Sequence, residues 1–190
     1  VMSAPRLFLV SPATAIADAA LLSCAAAACA AGDCASILVG ESVAPALVPK
    51  LQGLGLAVII RDCEPRLVHH VKADGIHVSR SQPVKALRAT LKTESIGVFA
   101  ATSRHIAMEA AEAGADYVAF AQGSQQHGEP LLAWWQDIFE VPSVAFDPVD
   151  AAGLATVLPQ KPDFIRPMDR IWDSADAARS EVEALMKAMA

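Results

Sequence analysis

A chain of 190 residues with 54% hydrophobic and 19% charged side chains is long enough to bury a large core and too apolar to be intrinsically disordered. Its net charge of −6 argues against nonspecific binding to nucleic acid or to anionic membranes. Aromatic residues make up only 5% of the chain, so small and aliphatic side chains dominate its apolar content.

Eight short apolar runs alternate with helical segments, and continuous apolar runs are typical of parallel strands buried on both faces. The first helix is rich in alanine and is predicted to end at Gly32, and the last is predicted over residues 174–190. Thr102 or Ser103 is expected to cap the helix after the fifth strand, with Gly114 just past its end. The predicted strands are residues 6–10, 35–39, 56–60, 74–78, 95–100, 115–120, 142–146 and 163–166.

Eight strand–helix units predict an α/β fold, a compact (β/α)8 TIM barrel that fills residues 1–190 as one domain. The alternative is an open doubly wound sheet, which usually carries a GxGxxG turn after its first strand. The chain has "VSPAT" at that point, so the barrel is preferred.

The longest apolar segment and the cysteines bear on localisation. Asp18 interrupts that segment and alanine is only weakly lipophilic, so a soluble helix packed on the sheet is favoured over a membrane span. The cysteines form no CxxC pair and are expected to be free thiols in a reducing cytoplasm; they are Cys24, Cys29, Cys34 and Cys63. We therefore expect a cytoplasmic protein that does not bind membranes.

Polar residues that follow the strands are the candidates for a binding site, because the active site of a TIM barrel lies at the carboxyl ends of its strands. Arginines follow four different strands, although the protein is acidic overall. If they converge, they favour a phosphate-bearing or carboxylate ligand; alternatively, each points outward and pairs with an acid or caps a helix. The candidate ligand-binding residues are Arg61, Ser79, Arg80, Arg104 and Arg166.

His77 ends the fourth predicted strand beside Ser79, and Asp62 follows the neighbouring third strand. These groups could form an acid–base or nucleophilic trio, so Asp62 and His77 are the candidate catalytic residues. The alternative, which we favour, is a structural histidine, because the sequence has no nucleophile elbow. Cys63 is expected to be a packed rather than a reactive thiol, and His127 is a candidate lid residue.

Two adjacent tryptophans lie in the predicted helix "PLLAWWQDIFE". Since neighbouring residues point in different directions on a helix, one of Trp134 and Trp135 is expected to pack inward and the other to reach the surface. An exposed tryptophan with Phe139 would mark the contact of a homodimer.

The segments "AVIIRDCEPRLVHHVKADGIHVSRSQP" and "SIGVFAATSRHIAMEAAEAGADYVAFAQ" resemble the thiamine phosphate synthase family, which includes thiazole tautomerase relatives. The match is specific over residues 56–122. The resemblance implies a TIM barrel and a transferase of thiamine biosynthesis. Such enzymes use Mg²⁺ to join a pyrimidine pyrophosphate to a thiazole phosphate, with pyrophosphate leaving.

The resemblance carries the family's metal and pyrophosphate ligands over only in part. Asp62 matches the Asp of the family's Ile-Asn-Asp-Arg motif and is the implied Mg²⁺ ligand, whereas Arg61 stands where the family has Asn. The second metal-binding acid falls near Gln82. One carboxylate is a poor clamp for Mg²⁺ on a pyrophosphate.

Other elements of the family's site also differ. The second strand ends in "ILVGESV" rather than Gln-Leu-Arg-x-Lys, and Phe99 replaces a serine. Glu129 lies near the position of an expected lysine. Asp147 and Pro148, in "FDPV", replace the Gly-Gly-Ile whose N–H groups grip the thiazole phosphate.

Three hypotheses follow from the sequence. The first is an active transferase that uses Asp62 for Mg²⁺ and arginines in place of the lost phosphate donors. The second is a catalytically silent paralogue that binds an anionic, phosphate-bearing small molecule. The third is a barrel that only supports an oligomer or a partner protein. Family membership favours the first hypothesis, and the altered residues favour the second.

Overall fold

In the computed structural model, which describes residues 4–79, 84–121, 125–126 and 129–190, eight parallel strands close into a barrel. The barrel strands are β1 (Arg6–Val10), β2 (Cys34–Val39), β3 (Ala57–Arg61), β4 (Gly75–Val78), β5 (Ser95–Ala101), β6 (Tyr117–Phe120), β9 (Ser143–Val149) and β10 (Phe164–Pro167). They lie in this order around the barrel, and β10 pairs with β1. A short antiparallel pair, β7 (Gln125–Gln126) and β8 (Glu129–Pro130), stands outside it.

A helix follows each barrel strand within the described ranges, which confirms the predicted (β/α)8 barrel. The helices are α1 (Asp18–Ala31), α2 (Val48–Gln52), α3 (Pro65–Val71), α4 (Val84–Thr90), α5 (Arg104–Glu112), α6 (Leu131–Ile138), α7 (Leu154–Val157) and α8 (Ala175–Met189). Short 3-10 turns at Leu158–Gln160 and Asp169–Trp172 precede β10 and α8. That the whole chain is one domain stays a prediction.

Serine side chains begin two of the helices. Ser103 Oγ accepts a hydrogen bond from the Ile106 N–H at 3.2 Å, so Ser103 rather than Thr102 caps α5. Gly114, at a φ of 97°, lies just past the end of that helix, as predicted. Ser174 caps α8 in the same way through the Ala177 N–H, at 3.0 Å.

Aspartates tie neighbouring strands together at the amino ends of the barrel. Asp74, directly before β4, accepts a hydrogen bond from the Val58 N–H of β3 at 2.7 Å. Asp116 and Asp163, before β6 and β10, do the same for N–H groups of β5 and β9, at 2.7 and 2.8 Å. These bonds satisfy backbone donors at strand starts, where the sheet offers no acceptor.

The strands bury a second apolar cluster inside the barrel, separate from the core under the helices. Ile59 of β3 belongs to it, and the half-buried Phe164 of β10 packs against it. Because side chains alternate between the faces of a strand, residues two positions further on point the same way. Arg61 and Arg166 therefore point into the barrel at its carboxyl end.

Two expectations are corrected by the structure. Strand β9 runs three residues beyond its predicted end, so Asp147 and Pro148 lie within the strand rather than after it. Trp134 and Trp135 are both buried, at 8% and 0% exposed, so the prediction that one reaches the surface is wrong. The homodimer stays a prediction and loses that contact as its support.

None of the described helices is long and apolar enough to cross a membrane.

Candidate functional site

Four neighbouring strands place one row of residues across the barrel interior. Arg61 pairs in register with His77, His77 with Gly97, and Gly97 with Tyr117. A Cβ at Gly97 would lie 1.9 Å from Cζ of the Tyr117 ring, so the ring occupies the space that a side chain would fill. Tyr117 thereby reaches His77 from two strands away, with Oη 2.8 Å from Nδ1.

The His77 ring is held in an aromatic environment and is 1% exposed. It stacks on Phe146 at 5.4 Å between centroids and 10° between planes, and on Tyr117 at 5.7 Å and 25°. Burial, together with the charge of Arg61, lowers the pKa of His77 to about 4. Burial raises the pKa of the Tyr117 hydroxyl. At neutral pH an uncharged imidazole is therefore bonded to an uncharged phenol.

A cavity of about 330 Å³ opens at the carboxyl end of the barrel, and we call it the mouth cavity. Positive charge and aromatic rings are combined in its wall. The lining residues that matter for its chemistry are Arg61, His77, Ser79, Phe99, Phe146 and Arg166. Of the described carboxylates, Asp169 alone lines it.

Only some of the hydrogen-bond donors of the Arg166 guanidinium have a partner among the described residues. It donates to Asp169 Oδ1 at 2.8 Å and to the Phe146 carbonyl at 3.5 Å, and lies over the Phe146 ring with Cζ 5.3 Å from its centroid. Its Nε is buried and has no hydrogen-bond partner among the described residues. The half-buried Arg61 is absent from the ion pairs formed within the described ranges. The mouth cavity therefore carries an excess of positive charge.

Asp62 joins the ends of β3 and β4. Its carboxylate accepts hydrogen bonds from the Ser79 N–H at 2.7 Å and the Ser79 hydroxyl at 2.6 Å, and its own N–H donates to the His77 carbonyl. Between these two described residues there is no hydrogen bond or ion pair from the carboxylate to the imidazole, whose Nδ1 is bonded to Tyr117. The structure thus brings Asp62 and Ser79 together but does not form the trio with the imidazole.

The described residues do not form a complete ligand set for a Mg²⁺ ion. Mg²⁺ requires octahedral oxygen ligands, usually with one or two carboxylates. Both oxygens of the Asp62 carboxylate are engaged by Ser79. No group of three or more His, Cys, Asp or Glu side chains in the described part of the chain could hold a metal. Gln82 lies outside the described residues.

Two other predicted residues, Arg104 and Cys63, do not line the mouth cavity. Arg104 stacks over the Trp134 ring at 4.4 Å and pairs with Glu129 at 3.3 Å, so of the three candidate arginines that the structure describes, Arg61 and Arg166 converge and Arg104 does not. Arg80 and His127 lie outside the described residues. Cys63 is half-buried, and burial raises its pKa to about 11, so its thiol is protonated at neutral pH.

Tyr117, Phe146 and Asp169 belong to this site although the sequence does not single them out. Tyr117 and Phe146 stand in apolar strands, where an aromatic residue is read as core. Their contact with His77 depends on strand register, which a local pattern does not report. Asp169 reaches the mouth through the short turn after β10.

Comparison with known proteins identifies the family of this barrel. Residues 7–165 match the family model described as thiamine monophosphate synthase. The thiamine-phosphate synthase of Hyphomonas neptunium is 32% identical over 154 residues, covering 76% of this chain and 69% of that protein. That of Erythrobacter litoralis is 32% identical over 136 residues, covering 65% of this chain and 63% of that protein.

A solved structure shows the same fold. The thiamine phosphate pyrophosphorylase from Pyrococcus furiosus superposes with a TM-score of 0.78 at 17% identity, covering 97% of this chain and 95% of that one. The chain spans slightly less than two thirds of the Erythrobacter litoralis relative. The family model matches residues 7–165, which are most of this chain, so the chain belongs to the thiamine monophosphate synthase family.

Proposed function

We propose that this member of the family is a catalytically silent paralogue that binds an anionic, phosphate-bearing small molecule in the mouth cavity. The observation that carries the proposal is the pair of inward-pointing arginines, Arg61 and Arg166, in a cavity where Asp169 is the only described carboxylate. Guanidinium groups bind phosphate oxygens through paired, charge-assisted hydrogen bonds. A partly buried guanidinium with a vacant N–H gains more from such a ligand than an exposed one.

The rest of the cavity suits a small ligand with a flat, apolar part. Phe99 and Phe146 line the cavity, and their rings lie 5.0 Å apart between centroids. A cavity of about 330 Å³ is at the small end of ordinary ligand pockets, so we expect one compact ligand rather than two large ones.

We infer that the protein does not catalyse the coupling reaction, because the residues that hold the pyrophosphate leaving group in the family are altered here. Asp62 is committed to Ser79, and Arg61 stands where the resemblance expects Asn. A pyrophosphate leaving group carries charge that must be neutralised as it departs. The arginines can bind such charge, but the described carboxylates do not form a metal clamp.

Calorimetry with inorganic phosphate and pyrophosphate tests binding. The unaltered protein is expected to bind one or both, and Arg61→Ala and Arg166→Ala each to weaken binding about tenfold or more, because each removes a charge-assisted contact. Arg179→Ala is the matched control, because Arg179 is an exposed arginine of α8. Equal binding by all four proteins would place the anion elsewhere.

The active synthase is the second candidate, favoured by family membership. It predicts that thiamine phosphate is formed from the two substrates with Mg²⁺, and that Asp62→Asn abolishes its formation. Turnover of this kind by the folded, unaltered protein would rule out the silent paralogue.

A further inference from the structure

Tyr117 is buried, and among the described residues the hydrogen-bond partner of its hydroxyl is His77 Nδ1. A phenol has one proton to donate, and a buried donor without an acceptor is unfavourable. If Nδ1 carried a proton and donated it to Tyr117, the Tyr117 proton would have no acceptor. The hydroxyl therefore donates to Nδ1, and the single proton of the neutral imidazole lies on Nε2.

The other ring nitrogen of His77 is the one available to a ligand. The ring lines the mouth cavity, where Phe146 stacks on it. Its Nδ1 is turned towards Tyr117 across Gly97, so Nε2 is the polar atom that the ring can offer to the cavity. Nε2 is not among the fully buried polar atoms that lack a partner in the described part of the chain.

We propose that His77 binds the anionic group of the ligand as a neutral Nε2–H donor, and that Tyr117 is the positioning residue that fixes this tautomer. The inference rests on the proposed ligand site, in which Arg61 and Arg166 supply the positive charge. It requires the ligand to place a hydrogen-bond acceptor, such as a phosphate oxygen, beside the His77 ring. It gives His77 a binding role rather than that of a general acid or base.

The tautomer is measured first, without any ligand. Long-range ¹H–¹⁵N spectra of the full-length, ¹⁵N-labelled protein at pH 7 distinguish Nε2–H from Nδ1–H and from the imidazolium. The expected pattern for His77 is that of the Nε2–H tautomer, assigned by its loss in His77→Gln. An Nδ1–H or imidazolium pattern would overturn the inference and leave the proposed phosphate site standing.

A pair of amide variants then tests the binding role. The amide nitrogen of Gln lies near the position of Nε2 and that of Asn near Nδ1, so each variant places an N–H donor at one of the two ring-nitrogen positions. In calorimetry with inorganic phosphate at pH 7.5, His77→Gln is expected to stay within about threefold of the unaltered protein, and His77→Asn to lose about tenfold. Equal affinities for the two variants would refute the Nε2 contact.

Tyr117→Phe tests whether Tyr117 fixes the tautomer of His77 or only packs in the barrel interior. It keeps the ring over Gly97 and removes the donor, so the fixed Nε2–H pattern should give way to a mixture of tautomers and phosphate affinity should fall about two- to fivefold. A purely structural tyrosine would lower the melting temperature and leave the ¹⁵N pattern unchanged. If the variant does not fold, the unaltered protein and the amide pair decide the question. Failure of the unaltered protein to bind phosphate would remove the ligand role of His77, while the tautomer would still be read from its spectrum.

Discussion

At the scale of single residues, Gly97 determines how the interior of this barrel is arranged. The Tyr117 ring fills the volume that a Cβ at position 97 would take. Gly97→Ala is therefore expected to lower the free energy of unfolding by about 1–3 kcal/mol, the usual range for overpacking a core. Denaturant unfolding measures this loss. The matched control is Gly40→Ala, since a Cβ there would meet nothing within 4 Å; equal effects at both positions would contradict the argument.

His77 should make the fold sensitive to mild acid. Its pKa is about 4 in the folded protein, lowered from 6.5 by burial and by the charge of Arg61, against a smaller opposing effect of Asp62. The unfolded chain therefore takes up the proton first as the pH falls. The stability that the neutral His77 contributes to the fold is fully present above pH 6.5. It falls by roughly 3 kcal/mol in total as the pH is lowered to about 4.

Unfolding measured between pH 7 and pH 4 checks this sign. Carboxylates also titrate in this interval, so the quantity to follow is the difference between the unaltered protein and His77→Gln. The curves of the two proteins should approach each other as the pH falls. Parallel curves would show that His77 is not the group responsible.

At the scale of elements, Asp62 joins two strand ends and is not presented as a free metal ligand. Asp62→Asn should lower stability by about 1–2 kcal/mol, because it weakens the acceptor of the two bonds from Ser79. Millimolar Mg²⁺ should leave the melting temperature of the unaltered protein within experimental error. A rise that is lost in Asp62→Asn would instead identify Asp62 as a metal ligand.

The turn Asp169–Trp172 brings a competing carboxylate to Arg166. Trp172 Nε1 donates to the Val10 carbonyl at 2.8 Å, and Arg170 pairs with the buried Glu181, so the turn is anchored on both sides. Asp169 itself is 55% exposed.

The Asp169 carboxylate competes with an anionic ligand for the Arg166 guanidinium. Asp169→Asn should therefore bind phosphate roughly three- to tenfold more tightly, as expected for removing an exposed ion pair and a nearby negative charge. Asp173→Asn, which removes an exposed acid directly after the same turn, should not change the affinity. Calorimetry distinguishes the two, and tighter binding by both would indicate a general effect of net charge.

At the scale of the whole molecule, the tryptophans of α6 are part of the core. Trp135 is fully buried, stacks on Phe139 at 4.0 Å between centroids, and donates to the Val141 carbonyl. Trp135→Ala should cost about 3–5 kcal/mol of stability. Sedimentation at a concentration where the variant is folded should give the same mass as the unaltered protein. A change in mass with little loss of stability would favour the dimer contact.

The fold could be predicted from the sequence because its signals are local. Each buried strand is a continuous apolar run, and the eight predicted runs overlap the eight observed barrel strands. The end of β9 was not predictable in the same way, because Asp147 and Pro148 read as a turn. They are accommodated in the strand, where the β9–β10 register shifts near Val149.

The sequence by itself determined the barrel, its family and the charged residues available at strand ends. Which of those residues share a cavity was decided only by the tertiary structure. Arg61 and Arg166 end strands whose alternation turns them inward, whereas Arg104 lies in α5 and packs on Trp134. The physical reason is that strand register and barrel closure join residues far apart in the chain, as they join His77 to Tyr117. A local pattern of residues does not report which residues that are distant in the chain come into contact in the folded protein.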